Sequence, residues 1–226
     1  MEYADVVRTT FAARDFTDES LDDDVLYRIL DLARFAPSGG NRQPWKVVVL
    51  KDAEKRKRVA ELSVPTFRRY LAQRFAGENP WNTIEPTKLS DEQIAEGPDP
   101  SGYLQSMLDA PAVLMVFVDL RLVASFDSDL PRVGVISGAS VYPFVWNILL
   151  AARDLGYGGT ITTFPAGAEA EVQELFGMPP YMAAAALVPL GRPAKQLTKL
   201  KRNAVEELAT IDRADGAPLA SRPTPR

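Results

Sequence analysis

The stretch Ala36-Pro37-Ser38-Gly39-Gly40-Asn41-Arg42-Gln43-Pro44-Trp45 runs directly into Lys46-Val47-Val48-Val49-Leu50, and its reading decides the fold. Upstream, Leu21, Val25, Ile29, Leu32 and Ala36 recur at helical spacing, with Ser20 as the expected N-cap. Asp22, Asp23 and Asp24 crowd the first turn, where the helix dipole favours negative charge. Pro37 disfavours helical geometry at Ala36 and closes the helix. Gly39 and Gly40 can both adopt positive φ and leave backbone N–H groups uncovered, so a flat ligand can approach closely. Val47–Leu50 then reads as a buried strand.

Working outward, Tyr3–Ala13 reads as a helix, Asp52–Val64 as a charged surface helix and Phe67–Phe75 as another. Between Gly77 and Gly102 the chain turns polar and acidic, interrupted by Pro80, Pro86, Pro98 and Pro100, with a short helix expected at Ser90–Ala95. Such an excursion is a lid-like or binding loop, or else a disordered insertion. Ala112–Val118 is apolar throughout, as in a strand covered on both faces. Val133–Leu155 reads as a long, charge-poor helix that Pro143 kinks or splits, buried in the domain centre or between subunits. Gly156-Tyr157-Gly158-Gly159 stops it. Thr160–Thr163 is strand-like, Ala168–Phe176 a helix and Met182–Leu190 a last strand. The order gives an α+β fold, a central mixed β-sheet flanked by helices, with an extended C-terminal arm from Ala194 to Ile211. One domain is expected over residues 1–212, followed by a flexible tail over 213–226.

Two absences restrict the chemistry. The 226 residues include no cysteine and no histidine, which excludes disulfides, thiolate nucleophiles, cysteine-ligated metals and ordinary hydrolytic triads. No metal site is expected. Enzymatic chemistry in such a chain belongs to a bound cofactor that the protein positions. The net charge of -4 argues against nucleic acid as a partner. No signal peptide is visible and no apolar run reaches membrane-spanning length, so a cytoplasmic protein without membrane contact is expected. Glu85, Asp91 and Glu92 read as solvated surface, and Gly156-x-Gly158-Gly159 follows a helix, the wrong context for a dinucleotide fingerprint.

From Pro37 to Trp45 the chain resembles the Pro-Ser-x-x-Asn-x-Gln-Pro-Trp signature of the FMN-dependent nitroreductase family. Four further blocks agree in order and spacing: Arg14-Asp15-Phe16, Asn147–Ala152 with Leu155–Gly158, Val188–Pro193, and Lys201-Arg202. The resemblance covers roughly residues 3 to 205. It implies a homodimer with shared FMN sites and ping-pong chemistry. NADPH or NADH would reduce the flavin, and an electron-poor acceptor, nitroaromatic or quinone-like, would take the electrons. The alternatives are a flavin-dependent dehalogenase or small-metabolite dehydrogenase, and a non-catalytic flavin-binding or storage protein.

The same resemblance implies the site. Pro37, Ser38, Gly39 and Asn41 would contact the flavin ring or ribityl chain, while Gln43 and Trp45 are structural. Arg14 would lie near the ring edge that becomes negative on reduction, unless it is a solvated partner of Asp15 or Asp18. The family's usual Arg-Arg-Ser is replaced here by Thr10-Phe11-Ala12, so Arg8 and Thr10, one turn earlier, stand in as phosphate contacts; a surface Arg8 is the other reading. Arg202 is the second phosphate candidate, with Lys201 behind it. Thr162 and Thr163 would lie beside flavin N5, or be ordinary strand threonines. In the excursion, Trp81 would cover the flavin and touch the acceptor, or pack on its own loop.

Overall fold

A computed structural model describes residues 1–220. Its centre is a four-stranded sheet in the order β1-β2-β4-β3, made of β1 (Trp45–Val49), β2 (Ala112–Asp119), β3 (Gly158–Gly159) and β4 (Met182–Gly191). All three ladders are antiparallel, and an isolated bridge between Ala12 and Gly159 adds a parallel contact beyond β3. All eight residues of β2 are buried. Its side chains alternate, Leu114, Val116 and Val118 feeding one apolar cluster and Val113, Met115 and Phe117 the other. The first cluster is completed by α2 (Asp23–Ala33) and α6 (Tyr142–Asp154), the second by α3 (Ala53–Phe75), α5 (Ser101–Leu108) and α7 (Glu169–Phe176). An α+β sandwich of helices on both faces of one sheet results.

Several boundaries differ from those expected. The first helix, α1, spans only Tyr3–Thr9, because the chain then turns to lay Ala12 and Ala13 along Gly159. Asp22, not Ser20, occupies the N-cap position of α2. The two charged helices expected around Pro65 are one, α3, running 23 residues straight through that proline. An interior proline costs about 3 kcal/mol. Here the burial of Val59, Ala60, Phe67 and Ala72 along one face outweighs it. α5 was not anticipated, although Leu104, Met107 and Leu108 carry its helical spacing and are all buried.

Pro143 does split the charge-poor segment, into a 3-10 turn at Ile136–Ser140 and α6, in whose first turn it sits. Thr160–Thr163 forms no continuous strand. After β3 the segment's backbone hydrogen bonds to β4, among the described residues, are Thr160 N–H to Pro189 O and the Thr162–Leu187 bridge. The excursion between residues 77 and 102 folds back onto α3. Glu78 accepts hydrogen bonds from Thr87 and Lys88, and Ser90 with Gln93 forms a capping box on α4 (Asp91–Ala95). The arm carries α8 (Val205–Leu208) and then a hairpin in which Thr210 pairs with Pro218, so residues expected in the tail return upon it. The last part of that tail, residues 221–226, lies outside the described residues.

Gly159 fixes how closely the edge segment approaches the sheet. A Cβ there would lie 2.4 Å from Pro189 O and 2.6 Å from Leu190 Cδ2, backbone and core that cannot move aside. Gly159→Ala should therefore lower stability by about 1–3 kcal/mol, measured by urea unfolding. An unchanged midpoint would mean that β3 lies farther from β4.

Candidate functional site

The helix α6 has a structural motif at each end. At its N-terminal end, Ser140 Oγ accepts the N–H of Gly39 at 3.1 Å and so holds the Pro37–Trp45 segment. That loop is compact: Gly40, Asn41 and Gln43 all have positive φ, and Gln43 N–H donates to Ser38 Oγ at 2.9 Å. Gly39 does not adopt positive φ, and a Cβ there would meet only Ser140 Oγ at 3.5 Å. The demand for left-handed backbone falls instead on Asn41 and Gln43, and Asn is the residue that meets it at least cost after glycine. Trp45 stacks on Phe144 of α6, centroids 4.7 Å apart, which is the structural role expected of it.

At the C-terminal end of α6, Arg153 Nε donates to Thr9 Oγ1 at 2.8 Å and docks α1. Ala13 N–H donates to Gly159 O there, which brings Arg14 beside the segment 160–164. A cavity of about 690 Å³ opens at this point, lined among others by Arg14, Tyr70, Arg74, Tyr103, Thr160–Thr163 and Phe164. Thr160 and Thr162 spend their N–H groups on β4, whereas those of Ile161 and Thr163 make no hydrogen bond among the described residues. They are the donors that the pairing of Thr160 and Thr162 with β4 leaves over. Phe67, Tyr70, Tyr103 and Phe164 form the apolar wall, with Phe67 and Phe164 stacked at 4.1 Å. Among the described residues Asp99 is the one carboxylate lining it; hydrogen bonds from Ser101 hold its carboxyl below the usual range, and it pairs with Arg68 at 3.5 Å. Arg14 and Arg74 make no ion pair among the described residues, so the cavity is electropositive.

A second cavity of about 420 Å³ adjoins the first, sharing Tyr70, Thr163 and Phe164 and adding Thr66, Pro80, Trp81, Ala166 and Gly167. The excursion thus delivers Trp81 to the neighbourhood of Thr163, on α3 and not on its own loop. Trp81 N–H donates to Gln73 Oε1 at 3.0 Å and its indole N–H to Thr66 O at 3.3 Å.

The structure therefore gathers Arg14, Thr162 and Thr163 at one cavity, with Trp81 in the next. Pro37, Ser38, Gly39 and Asn41 line neither. They sit at the other end of a 13-residue helix, about 20 Å away along its axis. Arg8 is exposed on α1, and Thr10 is buried with its hydroxyl donating to Val6 O at 2.7 Å, where it closes the helix end. Arg202 lies on the exposed arm and donates to Lys201 O. Sequence reasoning missed Tyr70 and Tyr103; their signal was the clustering of aromatics around the excursion.

The geometry is thus a helix-flanked antiparallel sheet with an electropositive, aromatic-walled cavity along its edge segment. The chain matches the nitroreductase family over residues 7–192 and belongs to that family, a family of oxidoreductases. It is 25% identical over 209 residues to iodotyrosine deiodinase 1 of Mus musculus, covering 92% of this chain and 68% of that protein. Among solved structures it resembles a BluB-like flavoprotein from Clostridium difficile 630, with a TM-score of 0.68, 21% identity and coverage of 94% and 100%. It also resembles the NADPH:FMN oxidoreductase from Vibrio harveyi complexed with NAD+, with a TM-score of 0.64, 19% identity and coverage of 94% and 78%. At these identities the structural likeness establishes the nitroreductase-like fold. No described helix is long and apolar enough to cross a membrane.

Ser140→Ala removes the acceptor that holds Gly39. Hydrogen exchange at residues 39–43 should quicken while β2 stays protected. Unchanged exchange in the loop would mean that its own turns suffice.

Proposed function

We propose that this protein is an FMN-dependent oxidoreductase that takes electrons from NADPH or NADH and passes them to electron-poor small molecules, such as nitroaromatics or quinones. The reading is carried by the unpaired N–H groups of Ile161 and Thr163 beside Arg14 and an aromatic wall. This lining suits FMN: edge donors for ring heteroatoms, apolar side chains for its faces and cations for its negative charge. Bound FMN would supply two-electron transfer, which the side chains of a chain without cysteine and histidine do not. Arg14 favours negative charge on the ring edge. Tyr70, Tyr103 and Phe164 exclude water, and Thr163 offers its N–H, and its hydroxyl, to the ring.

The protein works as a homodimer. A two-fold axis that sets the Pro37–Asn41 loop of one protomer over the Arg14 cavity of its partner completes a site that one chain leaves in halves at the ends of α6. Phe126, Val133, Val135, Tyr142 and Leu208 are exposed on the single chain and suit such an interface. Arg8 and Arg202, on α1 and on the arm tied to it by the Gln196–Thr9 hydrogen bond, are the cations proposed for the phosphate. The enzyme is proposed to act in the cytoplasm.

Anaerobic titration with NADPH or NADH tests the reading. Stoichiometric FMN should bleach and then recover its absorption on adding a nitroaromatic. Flavin that binds and never bleaches would favour storage, and protein that takes up no FMN would end the proposal. Light scattering should report twice the chain mass. Arg14→Gln should weaken FMN by about ten- to a hundredfold, the loss of one charge-assisted contact. Reductive dehalogenation is the second reading, favoured by the deiodinase relative. Iodide release from an iodinated phenol, with slow nitro reduction, would select it.

A further inference from the structure

Trp81 sits at φ +55, a conformation that costs energy in a residue other than glycine, asparagine or aspartate. One stripe of α3, Thr66, Arg69 and Gln73 at i, i+3 and i+7, holds it there. Gln73 is buried, and it ties both ends of the turn. Its Oε1 accepts the Trp81 N–H at 3.0 Å, and its backbone carbonyl accepts the Glu78 N–H at 2.9 Å. The indole N–H donates to Thr66 O at 3.3 Å. The guanidinium of Arg69, which lines neither cavity, braces the ring from 4.3 Å. Held at three points, the side chain is still 46% exposed. An aromatic kept in a strained conformation and left uncovered is a surface for something to lie against.

The cavity that Trp81 lines with Tyr70, Pro80 and Phe164 differs in kind from the Arg14 cavity: no Asp, Glu, Lys or Arg lines it among the described residues. At about 420 Å³ it is more than twice the space that holds a benzene ring, about 150 Å³. Its Gly167 side cannot shift, because a Cβ there would lie 1.9 Å from Thr66 Oγ1, so the chain rests directly on α3. The two cavities meet along Tyr70, Thr163 and Phe164. A molecule seated in both would carry its reacting group at one end and an apolar ring at the other. We infer that the acceptor has this elongated form, with an uncharged second ring received by Trp81. Trp81 is then the specificity-determining residue, and Gln73 the positioning residue that sets it. The inference rests on the flavin reading, which places the electron donor at Thr163.

Calorimetric titration of the FMN-loaded protein with para-nitrobenzamide and its N-phenyl derivative tests it, since the derivative adds one apolar ring to the same reacting ring. The N-phenyl compound should bind about tenfold more tightly. A carboxylate on the added ring should cancel that gain, because no cation lines the Trp81 cavity. Trp81→Gly keeps the turn, since glycine adopts positive φ freely, and should abolish the preference while leaving the benzamide unchanged. Gln73→Met keeps the side chain's length without its acceptor. It should lower the preference in part and leave both FMN uptake and benzamide binding as they were. Equal affinity for the two ligands, a gain that survives the carboxylate, or a preference that persists in Trp81→Gly overturns the inference. A loss in Gln73→Met shared equally by both ligands overturns the positioning role of Gln73. Failure of the flavin reading is seen separately, as protein that takes up no FMN, and it removes both.

Discussion

Everything in this molecule depends on the burial of β2 on both faces. A strand with no wet side requires a helical layer above and below, and alternation of side chains assigns Leu114 and Val116 to one layer and Val113 and Met115 to the other. The register with β4 absorbs one irregularity, between Val116 and Phe117, beyond which the two strands continue in step. α6 is trapped by this arrangement, with Phe144, Val145, Ile148 and Ala152 packed on the sheet. Its two ends are then fixed points, with the Pro37–Asn41 loop held at one and the Arg14 cavity at the other.

Much of this was legible in the sequence. The unbroken apolar run announced β2, Met182–Leu190 was read as a strand, and Pro143 marked the break before α6. What escaped is where tertiary contacts overruled local signals. Pro65 reads as a helix end, yet the buried face of α3 continues past it. Thr160–Thr163 has strand composition, but it lies at an edge where only alternate residues find partners. Of the residues marked in the sequence, Arg14, Thr162 and Thr163 line one cavity and Trp81 the adjoining one, because their motifs are local. Their separation from Ser38 and Asn41 was not legible: it depends on the length and direction of α6, which no motif encodes.

The site's polarity has a distributed origin. Its donors are backbone N–H groups of an edge, its charge comes from arginines with few carboxylates nearby, and its walls are aromatic. Backbone donors survive almost any substitution. A lining of this kind can persist while the excursion above it changes, and the fold itself recurs in solved structures at 19–21% identity.

The length of α6 has a genetic consequence. In the dimer proposed above, with the two halves of each site on different chains, a lesion in the Pro37–Asn41 loop and a lesion at Arg14 would damage different halves. Co-expressed, the two defective chains would then form mixed dimers in which one of the two sites draws both of its halves from undamaged segments, while the other collects both faults. Two inactive alleles would thus restore up to half of the sites in each mixed dimer, although neither allele alone restores any. Dominance at this locus would be governed by a helix of 13 residues.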